Sequence, residues 1–273
     1  MTRPLSHTQI PADDRGLAYG DGLFETVLVR DGEPRLWHQH MDRLARGCRA
    51  LGIPMPDSAD LDGLPPLSGT GLKVLKLMLT RGSGGRGYLP PSLAEPRLLW
   101  QVSDFMPQTR HWEAGVRVRH CELRLGIQPL LAGLKHLNRL ENVLARSEWD
   151  DPEVAEGLLC DSHGSLVEAT CMNLFWHRQG QLETPRLDGC GVAGTLRAAL
   201  MERLPIMEVT REPEVLADAE AVWLGNSIQG LWPIVRLDAA DGTLLRRWRL
   251  GGLHRRLQRE AHELLGYPTG FAN

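Results

Sequence analysis

Two domains of mixed α/β and α+β character are the architecture this chain predicts. Three observations carry that reading. With 273 residues, the chain can bury one large core or two modest ones. Strand-like and helix-like segments alternate in both halves. Between the halves, residues 103–115 lose periodicity and carry Pro, Gly and charge, as an interdomain connection does. The expected division is a smaller N-terminal α/β domain over 1–104, a linker over 105–115 and a larger C-terminal domain over 116–273.

The elements follow in order. The run Leu23-Phe-Glu-Thr-Val-Leu-Val29, the turn Asp31-Gly32 and an apolar return from Pro34 to Trp37 read as a hairpin. His38 to Gly52 reads as a helix with Met41, Leu44, Cys48 and Leu51 on one face, ended by Gly52 and Pro54. Residues 54–71, rich in Pro and Gly, are a loop or a broken helix. Lys73–Thr80 and Leu98–Val102 are strand candidates on either side of the glycine-rich segment Arg81 to Tyr88. Val116 to Leu125 alternates apolar with charged residues, as a half-exposed strand does. Lys135 is expected at a strand end before a helix with Leu137, Leu140, Val143 and Leu144 on one face. Residues 157–184 read as short strands, with turns at Asp161–Gly164 and Arg178–Gly180. Gly191-Val-Ala-Gly-Thr195 opens a helix carrying Leu196, Leu200 and Leu204. Ala221–Leu224 is a strand ending in Gly225-Asn-Ser227, and a last helix covers 252–265.

Composition narrows the function classes. The net charge of −3 is made of interspersed signs, with no basic block for nucleic acid. No apolar run approaches the roughly 20 residues of a membrane span, and residues 1–16 have no apolar core of a secretory signal. The five cysteines are odd in number, widely spaced and in no Cys-x-x-Cys pair, which argues against a zinc site or a disulfide framework. The expectation is a cytoplasmic protein without a bound metal, acting on a small molecule.

Four features carry chemistry. Lys135 reads either as a surface lysine at a helix start or as a desolvated amine, whose lowered pKa leaves the neutral form that attacks carbonyls. Gly191–Thr195 and Gly225–Ser227 are turn glycines or anion sites at chain reversals. The segment Arg81 to Tyr88 places two arginines among four glycines, either as a solvated tip or as a grip on a carboxylate. Glu168, amid apolar neighbours, is the exposed face of a strand or a buried carboxylate needing a cationic partner.

In chain order stand Tyr19-Gly-Asp-Gly-Leu-Phe-Glu-Thr26, Met41-Asp-Arg-Leu44, Arg81 to Tyr88, Lys135-His-Leu-Asn-Arg-Leu-Glu141, Glu168-Ala-Thr-Cys-Met-Asn-Leu-Phe175 and Gly194-Thr195. This succession, over roughly residues 10–235, resembles the fold-type IV pyridoxal-phosphate enzymes, a family of branched-chain aminotransferases, D-amino-acid transaminases and aminodeoxychorismate lyases. The resemblance implies a two-domain fold with the active site between the domains, and pyridoxal 5′-phosphate as cofactor. It makes Lys135 the Schiff-base lysine, carried by the C-terminal domain, and Glu168 the partner of the pyridine nitrogen. It assigns the phosphate to Arg43, Gly194, Thr195 and the Asn226-Ser227 turn. Phe24 and Thr26 match pocket-lining strand positions, and Arg86 and Tyr88 match the carboxylate-binding pair of the D-amino-acid enzymes. In this family the arginine-glycine loop often serves the neighbouring subunit's site, which implies a homodimer. Transaminases of the family commonly place a tyrosine five residues after the lysine, where this chain has Leu140. That departure and the two arginine-bearing segments are most similar to the lyases, which implies conversion of 4-amino-4-deoxychorismate, a substrate with two carboxylates, into 4-aminobenzoate and pyruvate on the way to folate. The alternative is a D-amino-acid or branched-chain aminotransferase.

Overall fold

The computed structural model describes residues 10–270. The chain separates into two compact units, one running to Met106 and including Leu134–Asn138, the other made of Pro107–Gly133 and Arg139 onward. No helix among the described residues is long and apolar enough to cross a membrane.

The first unit contains α1 (Arg15–Tyr19), β1 (Gly22–Arg30), β2 (Glu33–Pro34), α2 (Trp37–Leu51), α3 (Ser58–Asp62), β3 (Leu72–Thr80) and β4 (Arg97–Asp104). Its antiparallel sheet has the order β2-β1-β3-β4. Asp31 and Gly32 both take positive φ, 53° and 81°, the mirror-image turn whose twist suits a hairpin. The expected return to Trp37 is cut short after Pro34. Proline has no N–H to extend the ladder, Leu36 turns into the left-handed region at φ 53°, and α2 begins at Trp37. The apolar face of α2 packs Leu44 and Cys48 against Leu23, Val27, Leu75, Leu77 and Leu79 of the sheet. Gly52, at φ 62°, ends the helix. The 54–71 region is a broken helix: α3, then one 3₁₀ turn at Pro65–Ser68.

The second unit contains α4 (Thr109–Ala114), β5 (Val116–Leu125), α5 (Leu140–Arg146), β6 (Val154–Asp161), β7 (Leu166–Ala169), β8 (Asn173–Arg178), β9 (Gln181–Pro185), α6 (Thr195–Arg203), β10 (Ile206–Val209), β11 (Ala221–Asn226), β12 (Gly230–Asp238), β13 (Leu244–Arg247) and α7 (Gly252–Leu265). Its strands run β10-β9-β8-β11-β12-β5-β6-β7, with β13 against β12. The sheet is mixed: β10 with β9, β12 with β5 and β5 with β6 are parallel, and the other pairs are antiparallel. Trp176, Trp223, Phe175, Leu158 and Leu174 are almost wholly enclosed. Both indole N–H groups donate to internal acceptors, Trp176 to Glu183 and Trp223 to the His254 carbonyl, so the rings bring no unpaired donor into the core.

Three sequence expectations change. The stretch expected as a linker, 105–115, includes α4, anchored by buried Trp112, whose Nε1 donates to the Gln229 carbonyl at 2.6 Å. Lys135, expected within the C-terminal domain, packs with the first unit. The reason is an open sheet edge: β2 pairs with β1 only at Val29 and Arg30, leaving one edge of Gly22–Phe24 unpaired. Residues 134–138 fill it, with Phe24 N donating to Lys135 O and Leu137 N to Gly22 O, both at 2.9 Å, because sheet-edge groups seek partners. The helix expected straight after Lys135 therefore waits until Leu140, and its apolar residues Leu140, Val143 and Leu144 are exposed.

Candidate active site

Lys135 lies against β1, two main-chain hydrogen bonds from the strand that carries Phe24 and Thr26. Its Nζ stands 4.3 Å from the centre of the Phe24 ring. Strand alternation puts Phe24 and Thr26 on one face and Glu25 on the other, and both Phe24 and Thr26 are half-buried. Lys135 thus stands on an aromatic floor.

The opposite face carries a buried charge group. Arg43 of α2 donates from Nε to Glu25 Oε1 at 2.8 Å and from Nη2 to Oε2 at 2.5 Å, and His40 Nδ1 meets Oε2 at 2.6 Å. His40 and Arg43 share a helix face because they are three residues apart. Burial works to raise the Glu25 carboxyl, but Arg43 and His40 outweigh it and hold it down at about 2. Burial pushes His40 down, against the pull of Glu25, and the positive charges of Arg43 and Lys135 push it further. Those pushes favour the neutral imidazole beside the Glu25 carboxylate. Buried charges are retained only when paired this closely.

The second unit gathers another group. Glu168 in β7 is buried and accepts the Val192 N–H at 2.9 Å. Asn173, opening β8, donates to the Val192 carbonyl at 2.9 Å. Gly194 is the N-cap of α6, and no side chain caps that helix. A Cβ on Gly194 would lie 1.9 Å from Asn173 Oδ1, so only glycine brings the helix start this close. Asn226 closes β11: its Oδ1 accepts the N–H groups of Ile228 and Gln229 at 2.9 and 2.7 Å, and its Nδ2 donates to the Cys171 carbonyl at 3.2 Å. Ser227 beside it and Thr195 are buried.

The turn joining Glu168 to Asn173 is tied down by a carboxyl that the sequence did not single out. Glu156 in β6 is buried and accepts from Thr170 N at 3.1 Å, Thr170 Oγ1 at 2.5 Å and Cys171 Sγ at 2.7 Å. Burial, against those hydrogen bonds, raises its pKa. Asn142 adds a bond to the Thr170 carbonyl at 3.0 Å.

The residues predicted from sequence thus fall into two sets. Phe24, Thr26, Arg43 and Lys135 belong to the first unit; Glu168, Gly194, Thr195, Asn226 and Ser227 share one corner of the second. Arg86 and Tyr88 lie in the loop after β3, both exposed. Sequence reasoning missed Glu25, His40, Glu156 and Asn173. Glu25 had a signal: a lone charge at a core-facing position of an apolar strand. His40 had the three-residue spacing to Arg43. Glu156 and Asn173 had none, because their partners are distant in sequence.

Chemically, the first set offers an amine over an aromatic ring and, on the other face of β1, a buried arginine paired with Glu25. The second offers a buried carboxylate, for a protonated ring nitrogen, near an uncapped helix N-terminus, where main-chain N–H groups favour phosphate.

The chain is 37% identical over 267 residues to the aminodeoxychorismate lyase of Vibrio harveyi, spanning 93% of this chain and 96% of that one. It is 27% identical over 241 residues to the aminodeoxychorismate lyase of Bacillus subtilis, spanning 84% and 81%. The crystal structure of 4-amino-4-deoxychorismate lyase from Pseudomonas aeruginosa superposes with a TM-score of 0.85 at 44% identity, covering 96% of this chain and 98% of that one. Residues 22–237 match the family model for class IV amino-transferases, and the chain belongs to that family.

Proposed function

We propose that this chain is an aminodeoxychorismate lyase that uses pyridoxal 5′-phosphate to convert 4-amino-4-deoxychorismate into 4-aminobenzoate and pyruvate. The observation that carries this reading is the end-to-end likeness to lyases of that name, at 37% and 44% identity.

The residues fit the cofactor. Lys135 is the attachment point, Glu168 the acceptor for the ring nitrogen, and the start of α6 at Gly194 and Thr195, with Asn226, Ser227 and Arg43, the phosphate site. When bound, the cofactor supplies an electron sink for the pair left by proton removal. Lys135 takes the proton from the amine-bearing carbon as general base. The bond between the ring carbon and the ether oxygen then breaks, the ring becomes aromatic, and the enolate that leaves takes up a proton at its methylene carbon to become pyruvate. Phe24 and Thr26 line the substrate side of Lys135, and Arg86 and Tyr88 meet a substrate carboxylate. Leu140, at the position where transaminases of the family commonly carry a tyrosine, is 69% exposed and offers no hydroxyl, which favours elimination over transamination.

Assembly and compartment belong to the same reading. The exposed apolar face Leu140, Val143 and Leu144 of α5 supports a homodimer, tested by sedimentation. Five free cysteines suit the reducing cytoplasm. The decisive experiment is incubation of the purified, cofactor-loaded protein with aminodeoxychorismate. Formation of 4-aminobenzoate and pyruvate is expected; their absence, with amino-group transfer to a 2-oxo acid instead, would replace the lyase by an aminotransferase.

A further inference from the structure

Besides Arg43, the first unit buries Arg15 and Arg81, whose job the chemistry above does not use. Arg15, at the start of α1, is 4% exposed. Its Nε donates to Asp21 Oδ2 at 2.9 Å. The far side of its guanidinium enters the loop after β3. Nη2 donates to the Tyr88 carbonyl at 3.0 Å, and Nη1 faces the carbonyls of Gly87, Gly84 and Leu89 at 3.0, 3.4 and 3.4 Å. Three consecutive carbonyls, 87 to 89, therefore converge on one cation.

Such convergence is not an ordinary backbone shape. Gly84, Gly85 and Gly87 all take positive φ, at 107°, 82° and 57°, which side chains disfavour. A Cβ on Gly85 would lie 2.4 Å from the Leu89 carbonyl and 3.1 Å from Arg15 Nη1. The base of the loop is fixed by the same segment, since Arg15 N donates to the Gly82 carbonyl at 2.9 Å. Asp21 is shared with Arg81, whose guanidinium also reaches the last carbonyls of α2, at Leu51 and Gly52. The loop thus wraps a fixed guanidinium and turns the side chains of Arg86 and Tyr88 outward, with Tyr88 packed on Tyr19 at 5.4 Å between ring centres.

We infer that Arg15 is a positioning residue for substrate recognition: it moulds the 84–89 loop from inside, so that Arg86 and Tyr88 are held ready for a carboxylate before substrate arrives. The inference rests on the reading of Arg86 and Tyr88 as carboxylate contacts. A planar fork with donors on three nitrogens spreads its bonds over Asp21 and the loop carbonyls at fixed angles, whereas a lysine gathers its three donors on one nitrogen at the end of a flexible stem. Preordered groups need no ordering on binding, so loss of the mould appears in KM rather than kcat.

The test uses Arg15→Lys in the cofactor-loaded enzyme. KM for aminodeoxychorismate should rise roughly tenfold with kcat within about twofold, the visible cofactor absorption should be unchanged, and tryptic cleavage after Arg86 should accelerate. In an Arg86→Ala background, Arg15→Lys should add less than about twofold, because the two act through one contact. Wild-type KM and cleavage rate in Arg15→Lys, or full multiplication of the two effects, would overturn the inference. An unchanged KM in Arg86→Ala alone would instead remove the substrate reading, and with it the role in recognition, while the tryptic assay still decides whether Arg15 shapes the loop. Should Arg15→Lys not fold, Gly85→Ala keeps Arg15 but forces the loop off it. That variant must show the same rise in KM and in cleavage; wild-type behaviour there also overturns the inference.

Discussion

The two units hold their chemical groups by different physics. In the first, side chains are oriented by buried charge: Glu25 grips Arg43 and His40, and Asp21 grips Arg15 and Arg81. In the second, position comes mainly from the main chain: Val192 N–H holds Glu168, and the close approach of Gly194 to Asn173 sets the start of α6. Charge pairs aim a long side chain well, but they depend on pH and on both partners being present. Main-chain donors do not titrate over the physiological range, but a glycine packed this closely tolerates no added carbon.

The largest expected effect is common to both halves. Lys135→Ala should remove covalent cofactor attachment and lower turnover by about 10³-fold or more. Borohydride trapping followed by peptide mapping checks it; labelling at Lys73 or Lys76, the other two lysines of the chain, would move the site elsewhere.

Next, Glu25→Gln leaves Arg43 buried without its counter-charge. It should cost about 3 kcal/mol, read as a lowered denaturant midpoint. The same group sets an acid limit. The Glu25 carboxyl is held at about 2, below its ordinary 4.5, so its contribution is full above pH 4.5 and is lost as pH falls towards 2. His40 is also held below its ordinary 6.5. Below that value the unfolded chain binds a proton that the folded chain refuses, and stability declines there too. Thermal midpoints should therefore fall from pH 7 down towards pH 2, and Glu25→Gln should flatten the part below 4.5. An unchanged acid profile in that variant would mean the first unit is not charge-held in this way.

Gly194→Ala probes the other unit. Overpacking against Asn173 should cost about 1–3 kcal/mol and loosen cofactor retention, measured by dialysis against buffer, with no change in the acid profile. The smallest effect is expected for Asn226→Ala, which removes the one side-chain oxygen that accepts the Ile228 and Gln229 N–H groups after β11, at about 1 kcal/mol. If it instead matched Glu25→Gln, side chains would matter as much in the second unit as in the first.

Most individual elements were legible because their signals are local. The Asp31-Gly32 turn demands positive φ at both residues, the face of α2 repeats at helical spacing, and Val116–Leu125 alternates. The ordered motifs also brought out Lys135, Glu168 and Arg43 as candidates. What stayed hidden was anything decided by a partner far along the chain. Lys135 reads as a strand end running straight into a helix; residues 134–138 instead pair with β1 because β1 has an open edge. Leu140, Val143 and Leu144 repeat like a buried face yet are exposed, since periodicity reports which residues share a face and not what covers it. Glu25 looked like one more polar residue in a strand until α2 brought Arg43 and His40 against it.

By itself, then, the sequence determined the mixed two-part architecture, the order of the motifs and the chemical types available: one lysine before a helix, a carboxylate thirty-three residues on, and glycines where the chain must pass close to another group. Those properties reside in single residues and short spacings. Only the tertiary structure decided which unit Lys135 packs with, which face of α5 is exposed, and which carboxylates neutralise Arg43 and Arg15. Sheet-edge pairing and buried charge compensation are contacts between residues remote in sequence, and their free energy exists only once both partners have left water together.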